Sequence, residues 1–263
     1  MKALVTGASS GIGREIAKYL SALGHGIVAV ARDKAKLESL QQELKAPARL
    51  LSVDLSSPRN CKNLFAAVEK ENIDILVNNA GVGLYGNFAE TDLEREMEMI
   101  GLNLEAVHIL TKLFLQQMVE RDSGYIMNVS SLAAFIPGPD MAAYHAAKAY
   151  ILRLTQSVQE ELAQRKSQVH VSALCPTVMR TNFQKVAGVE FDIPNQTPEF
   201  VAKEAVDGMF RGKKVIVPGA EAKAAKLLLR LLPDSVSAKT VSAAMRPKKE
   251  IEQVQYTWEI TEP

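Results

Sequence analysis

A chain of 263 residues, 47% hydrophobic and 23% charged, is long enough to bury the core of one large α/β domain. Its 31 basic and 30 acidic residues leave a formal charge of +1, which excludes a global field that would gather nucleic acid or coat an anionic membrane. Cys61 and Cys175 lie outside any CxxC or Cys/His spacing, so neither a disulfide framework nor a bound metal is expected. Ala3-Leu4-Val5 leads straight into a glycine-rich turn, so no signal peptide is read. The longest apolar run, 227–232, is interrupted by Arg230 and falls far short of the ~20 residues of a membrane span. A reduced, cytoplasmic setting is expected.

Short β-branched runs alternate with stretches of helical period, the pattern of βαβ units around a parallel sheet. Strands are predicted at 2–6, 26–31, 48–53, 73–77, 124–129, 168–174 and 214–217. The first helix places Ile12, Ile16, Leu20 and Leu23 on one face. Asp33 is placed to cap a second helix holding Leu37, Leu40 and Leu44, and Ser57-Pro58 reads as a cap followed by a first-turn proline. The segment 143–163 is apolar on more than one side, as in a helix packed against two elements. Residues 182–199 combine helix breakers with Phe183, Val186, Phe191 and Ile193, which suggests a flap. Residues 1–219 form one dinucleotide-binding domain in this reading. Residues 220–263 extend it with two helices and a polar tail, 248–263.

The segment Thr6-Gly7-Ala8-Ser9-Ser10-Gly11-Ile12-Gly13 joins the first strand to the first helix, where amides and the positive helix end face a pyrophosphate. Gly7 serves the tight turn, Gly11 the close approach of ligand, and Gly13 the packing of helix on strand. An acidic residue ending the second strand would accept bonds from a free ribose 2′-hydroxyl; Ala31 stands there instead. Arg32 follows with a fixed positive charge for a 2′-phosphate, and Ser9 or Ser10 adds a hydroxyl. NADP(H) is therefore expected over NAD(H). Asp33 caps the next helix in this reading, with the ribose as its alternative target.

Tyr144-His145-Ala146-Ala147-Lys148 sets a phenol and an ammonium one helical turn apart. Ser131 ends the run Ile126-Met127-Asn128-Val129-Ser130-Ser131 at a strand terminus, where ligands bind in open α/β sheets. Asn78-Asn79-Ala80-Gly81 ends another strand, and Asn103 stands in an otherwise apolar helix. Ser130 is read as an inward strand residue, His145 as a packing or surface residue, and Cys175 as buried filler.

In this order and at these separations, the motifs resemble those of the one-domain short-chain dehydrogenase/reductase family, from Lys2 to about Gly219. The resemblance implies a doubly wound Rossmann fold with strand order 3-2-1-4-5-6-7 and a catalytic tetrad of Asn103, Ser131, Tyr144 and Lys148. It also places Asp54 and Leu55 near the adenine and Asn79 and Gly81 along the cofactor groove. Thr181 and the Met179 backbone would meet the nicotinamide carboxamide. Tyr144 would be the acid/base, Ser131 a stabiliser of charge on the substrate oxygen, and Asn103 the holder of a relay water. Lys148 would favour the phenolate and hold the nicotinamide ribose. Asn103 otherwise reads as a helix residue bonded to backbone. Two positions depart from the family pattern: Thr177 follows Pro176 where glycine is common, and Ala134 also replaces a common glycine.

Leu84, Tyr85, Leu132, Phe135, Ile136 and the flap give the substrate cleft an apolar lining, so a hydrophobic ketone, aldehyde or alcohol is expected. The family resemblance implies a homodimer or homotetramer. The apolar stripe of 224–232 is assigned to packing on the chain itself or a partner subunit rather than to a membrane surface. Two alternatives remain beside an enzyme: a dinucleotide-binding redox sensor without turnover, and an interaction protein acting through its C-terminal helices.

Overall fold

The computed structural model describes residues 1–177, 187 and 196–244. Seven parallel strands form one sheet in the order β3-β2-β1-β4-β5-β6-β7, as expected. They span Lys2–Thr6, Gly26–Ala31, Arg49–Ser52, Ile75–Asn78, Gly124–Val129, Val169–Leu174 and Val215–Ile216, numbered in chain order. The expected third, fourth, sixth and seventh strands differ by one or two residues at their ends, where ladder bonding stops before or after the side-chain pattern does.

Period-two alternation sends successive side chains to opposite faces. Ala3, Val5, Ile75 and Val77 enter one buried cluster, with Ile16 and Leu20 of α1 (Gly11–Ala22) and Val201, Ala205 and Met209 of α7 (Pro198–Phe210). Leu4, Leu76 and Ile126 enter the other, with Leu64 of α3 (Pro58–Val68), Phe114 of α5 (Ala106–Glu120) and Leu162 of α6 (Ala142–Gln164). Both faces of the sheet are covered, the arrangement parallel strands require.

Asp33 caps α2 (Lys34–Gln41) as expected, accepting from the Lys36 amide at 2.9 Å. Two local expectations are corrected. Leu23 leaves the buried face and is 49% exposed, because α1 stops at Ala22. Ser57 stands at the N-cap of α3, but its hydroxyl bonds none of that helix's amides, leaving Pro58 to set the first turn. After α4 (Leu93–Ile100) the helix widens into a π-helical stretch, Gly101–Glu105, before α5 begins.

Helix α8 (Ala220–Leu231) packs back on the core: Ala222 joins a buried cluster with Ala134, Leu152, Ala173, Cys175 and Val217. The methyl of Ala134 thus fills that cluster. Helix α9 (Asp234–Ala244) follows. Among the described residues, no helix is long and apolar enough to cross a membrane, and no group of His, Cys, Asp and Glu could hold a metal ion.

Candidate active site

The residues selected from the sequence converge on the C-terminal edge of the sheet. The glycine turn follows β1, Arg32 follows β2, Asp54 and Leu55 follow β3, Asn79 and Gly81 follow β4, and Ser131 follows β5. The order reverses between β1 and β4, which opens a crevice at that edge.

Gly7 and Gly11 adopt positive φ, +66° and +55°, where a side chain would strain the turn. Asn79 braces it by donating through Nδ2 to the carbonyls of Thr6 and Gly7, at 3.0 and 3.3 Å. A Cβ on Gly13 would lie 2.3 Å from that Nδ2 and 2.5 Å from the Gly7 carbonyl oxygen. Gly13 is therefore demanded by Asn79 and by the turn itself as much as by helix–strand packing. Thr6 completes the clamp, its hydroxyl accepting from the amides of Asn79 and Ala80 at 2.9 and 3.0 Å. Ser10 stands at the N-cap of α1 without a side-chain cap bond, which leaves first-turn amides for an anion. A dinucleotide pyrophosphate fits this cradle.

Asp54 is half-buried, its Oδ1 accepting from the Ser56 amide at 3.0 Å, while Leu55 is buried in the core. Met179 and Thr181, and nearly all of the expected flap, lie outside the described residues, as does the tail from Lys248.

The catalytic candidates come together across β5 and α6. Ser131 caps the turn Leu132–Phe135, its Oγ accepting from the Ala133 amide at 3.1 Å. The Tyr144 phenol is hydrogen-bonded to Ser131, and burial pushes its pKa up to about 12 against the opposing effect of that bond. One turn later Lys148 is only 4% exposed. Its ammonium donates to the Val129 carbonyl at 3.0 Å and lies 5.7 Å from the Tyr144 ring centroid. Burial holds its pKa down to about 8.

Asn103 sits in the π-helical stretch, wholly buried, a geometry frequent at functional sites. Its carboxamide accepts from the Val82 amide at 2.9 Å and donates to the Val82 carbonyl at 2.7 Å. The backbone partner foreseen for it thus comes from the segment after β4 rather than from its own helix. Gly81 separates Asn103 from Lys148: a Cβ there would lie 2.9 Å from Asn103 Oδ1 and 3.5 Å from Lys148 Nζ.

The neighbours read as ordinary are structural. Ser130 donates through Oγ to the Lys148 carbonyl at 2.8 Å. His145 is buried, its Nδ1 3.0 Å from the Ile136 carbonyl. Cys175 is fully buried, and burial pushes its thiol up to about 12. Of the expected cleft residues, Leu84 borders a small cavity with Phe88, Met99, Met141 and Ala143, beside the start of the Tyr144 helix.

Sequence reasoning passed over a buried polar ladder below the site. Asn78 and Asn128 are register partners on β4 and β5. Asn78 Nδ2 donates to Asn128 Oδ1 at 2.9 Å, and Asn128 Nδ2 donates to Thr155 of α6 at 3.0 Å. Thr111 of α5 donates to Asn128 Oδ1 at 3.1 Å. The ladder fastens the strand ends to both helices that frame the site. Its only sequence signal is two asparagines inside strands that otherwise face apolar layers.

Comparison with known proteins agrees with this architecture. The family model described as short chain dehydrogenase matches residues 1–189. An uncharacterized oxidoreductase of Staphylococcus epidermidis is 36% identical over 181 residues, 68% of this chain and 78% of that protein. Carbonyl reductase [NADPH] 2 of Sus scrofa is 36% identical over 182 residues, 69% of this chain and 72% of the relative. Among solved structures, a short-chain dehydrogenase from Sphingobium yanoikuyae in complex with NADPH superposes with a TM-score of 0.79 at 29% identity, covering 94% of this chain and 97% of that one. With the family model spanning most of its length, and with this fold and crevice, the chain belongs to the short-chain dehydrogenase family of oxidoreductases.

Proposed function

We propose that the protein is an NADP(H)-dependent reductase of hydrophobic ketones or aldehydes that also runs the reverse oxidation of the alcohol. The observation that carries this reading is the Tyr144 phenol bonded to Ser131, above the buried Lys148 and at the same sheet edge as the glycine turn. The bound nicotinamide supplies or accepts the hydride.

The remaining work falls to side chains. Ser131 donates to the carbonyl oxygen and stabilises the negative charge that develops there. Tyr144 gives that oxygen its proton; held up at about 12, the phenol stays protonated at neutral pH, ready to act as an acid. In the reverse direction the Lys148 ammonium favours the phenolate that takes the alcohol proton. On this reading Asn103, fastened to Val82, orders a water near Lys148 that returns the proton to solvent, and the close approach of Gly81 to both side chains keeps that region free of a side chain. Gly81→Ala is therefore expected to lower turnover by about tenfold or more, with smaller effects on dinucleotide affinity. Steady-state rates set beside a binding titration check it; unchanged turnover would remove the water path.

Cofactor choice rests on the end of β2. Ala31 offers the ribose no carboxylate, and Asp33 is engaged by the Lys36 amide and ammonium. Arg32 is the charge next to the 2′ position. Carbonyl reductase [NADPH] 2 and the NADPH complex among the relatives support the same choice. The deciding experiment is a panel of apolar ketones, aldehydes and secondary alcohols assayed with NADPH and with NADH. Binding of NADPH with turnover of none would instead indicate a sensor. Arg32→Ala is expected to weaken NADPH binding by about tenfold or more and NADH binding little; equal losses would refute the assignment.

A further inference from the structure

Arg14, in the first turn of α1, reaches across to α2. Its Nη1 donates to the Ser9 carbonyl at 3.4 Å and to the Lys36 carbonyl at 3.1 Å. Its Nη2 donates to Ser39 Oγ at 3.1 Å and to Glu43 Oε1 at 2.6 Å. One planar guanidinium thereby joins the glycine turn to α2, which begins just after Arg32 and Asp33. Around this strut the chain is pinned elsewhere too. Asp33 holds the Lys36 amide, and Ser52 donates to the Arg32 carbonyl at 2.7 Å. Lys36 is thus fixed at its amide by Asp33 and at its carbonyl by Arg14.

The side chain is only 17% exposed, and its charge faces Glu43, which also pairs with Lys18 at 2.8 Å. With a carboxylate already against it, Arg14 is built to fix positions rather than to bind a phosphate directly. Lysine cannot do the same work: a single ammonium on a flexible stem does not span four acceptors spread over the glycine turn, α2 and the residues just after it.

We infer that Arg14 is a positioning residue for cofactor choice, holding the pyrophosphate turn and the 2′-phosphate segment Arg32–Asp33 at a fixed separation. The inference rests on the 2′-phosphate reading of Arg32. Pre-organisation of this kind matters most for a ligand held by strong contacts at both segments at once; both dinucleotides reach the two segments, but only the 2′-phosphate adds a charge-assisted contact to Arg32.

The test is direct titration of NADPH and NADH into the full-length protein and into Arg14→Met and Arg14→Lys, with melting temperatures recorded in parallel. Arg14→Met is expected to lose about tenfold in NADPH affinity and about twofold in NADH affinity, while Arg14→Lys loses less in the same direction. Equal fractional losses for the two dinucleotides, or none, would overturn the inference, because a residue that only stabilises the fold lowers the melting temperature without changing that ratio. Should Arg14→Met fail to fold, the Arg14→Lys ratio decides by the same criterion. The cofactor reading is judged separately: it falls if the parent protein binds NADH as tightly as NADPH. The two losses caused by changing Arg14 are defined whichever dinucleotide the parent prefers.

Discussion

Tyr144→Phe is expected to lower turnover by about 10³-fold while leaving dinucleotide affinity within about twofold of the parent. The substitution removes one oxygen and keeps the ring that packs beside His145, at a centroid distance of 6.1 Å. What disappears is the proton donor and its bond to Ser131. Ser131, Lys148 and the glycine turn stay in place, so binding and folding serve as internal controls. Retained turnover would mean that protonation comes from elsewhere, and His145 is poorly suited to that. Burial lowers its pKa, and its Nδ1 already faces the Ile136 carbonyl.

Lys148→Met is expected to abolish turnover and to make the dinucleotide-free protein more stable at neutral pH. Burial moves the ammonium from an ordinary pKa of 10.5 to about 8, so folding is penalised wherever the unfolded chain is protonated. The full penalty, about 3 kcal/mol, applies below pH 8, where both states carry the proton. Between pH 8 and 10.5 the unfolded chain binds more protons than the folded one, so stability of the parent rises with pH there. Above that window the penalty is gone. Losing the bond to the Val129 carbonyl offsets part of the gain, leaving about 1–3 kcal/mol at pH 7 and little or none near pH 11. Urea unfolding of both proteins at the two pH values checks this. A variant less stable than the parent at pH 7 would show that the ammonium is favoured by its surroundings. Methionine is close in volume, so packing changes little. On the proposed mechanism, this cost in stability accompanies the part Lys148 plays in the chemistry.

The candidate site was legible where chemistry dictates residue types at short spacing. The turn from Thr6 to Gly13 and the pair Tyr144–Lys148 each lie within one local segment, and the resemblance singled out Ser131 over Ser130. Strand order became readable once those motifs suggested a family. The braces were not legible. Asn79 on the glycine turn, Arg14 on α2, and Asn78 with Asn128 act between segments that sequence distance separates, and no periodicity registers them. Burial at a helix end was another weak point: the apolar pattern of α1 counts Leu23, which stands at the C-cap and is exposed. The spacing around Asn103 gave no hint of a π-helical turn, because the same residues fit an ordinary helix equally well.

That wider turn bears on chain length. Each residue advances an α-helix by about 100°, so one residue more between α4 and α5, beyond the one the wide turn already takes up, would rotate one helix against the other by more than a quarter turn. Phe114 and Leu110 would then leave the layer they fill under the sheet, or Met99 would leave its place near Leu84. A Cβ on Gly101 would lie 2.6 Å from the Ser56 carbonyl oxygen, and a further inserted residue would turn a core face toward water, whereas loss of one residue would let the stretch close into an ordinary α-helix.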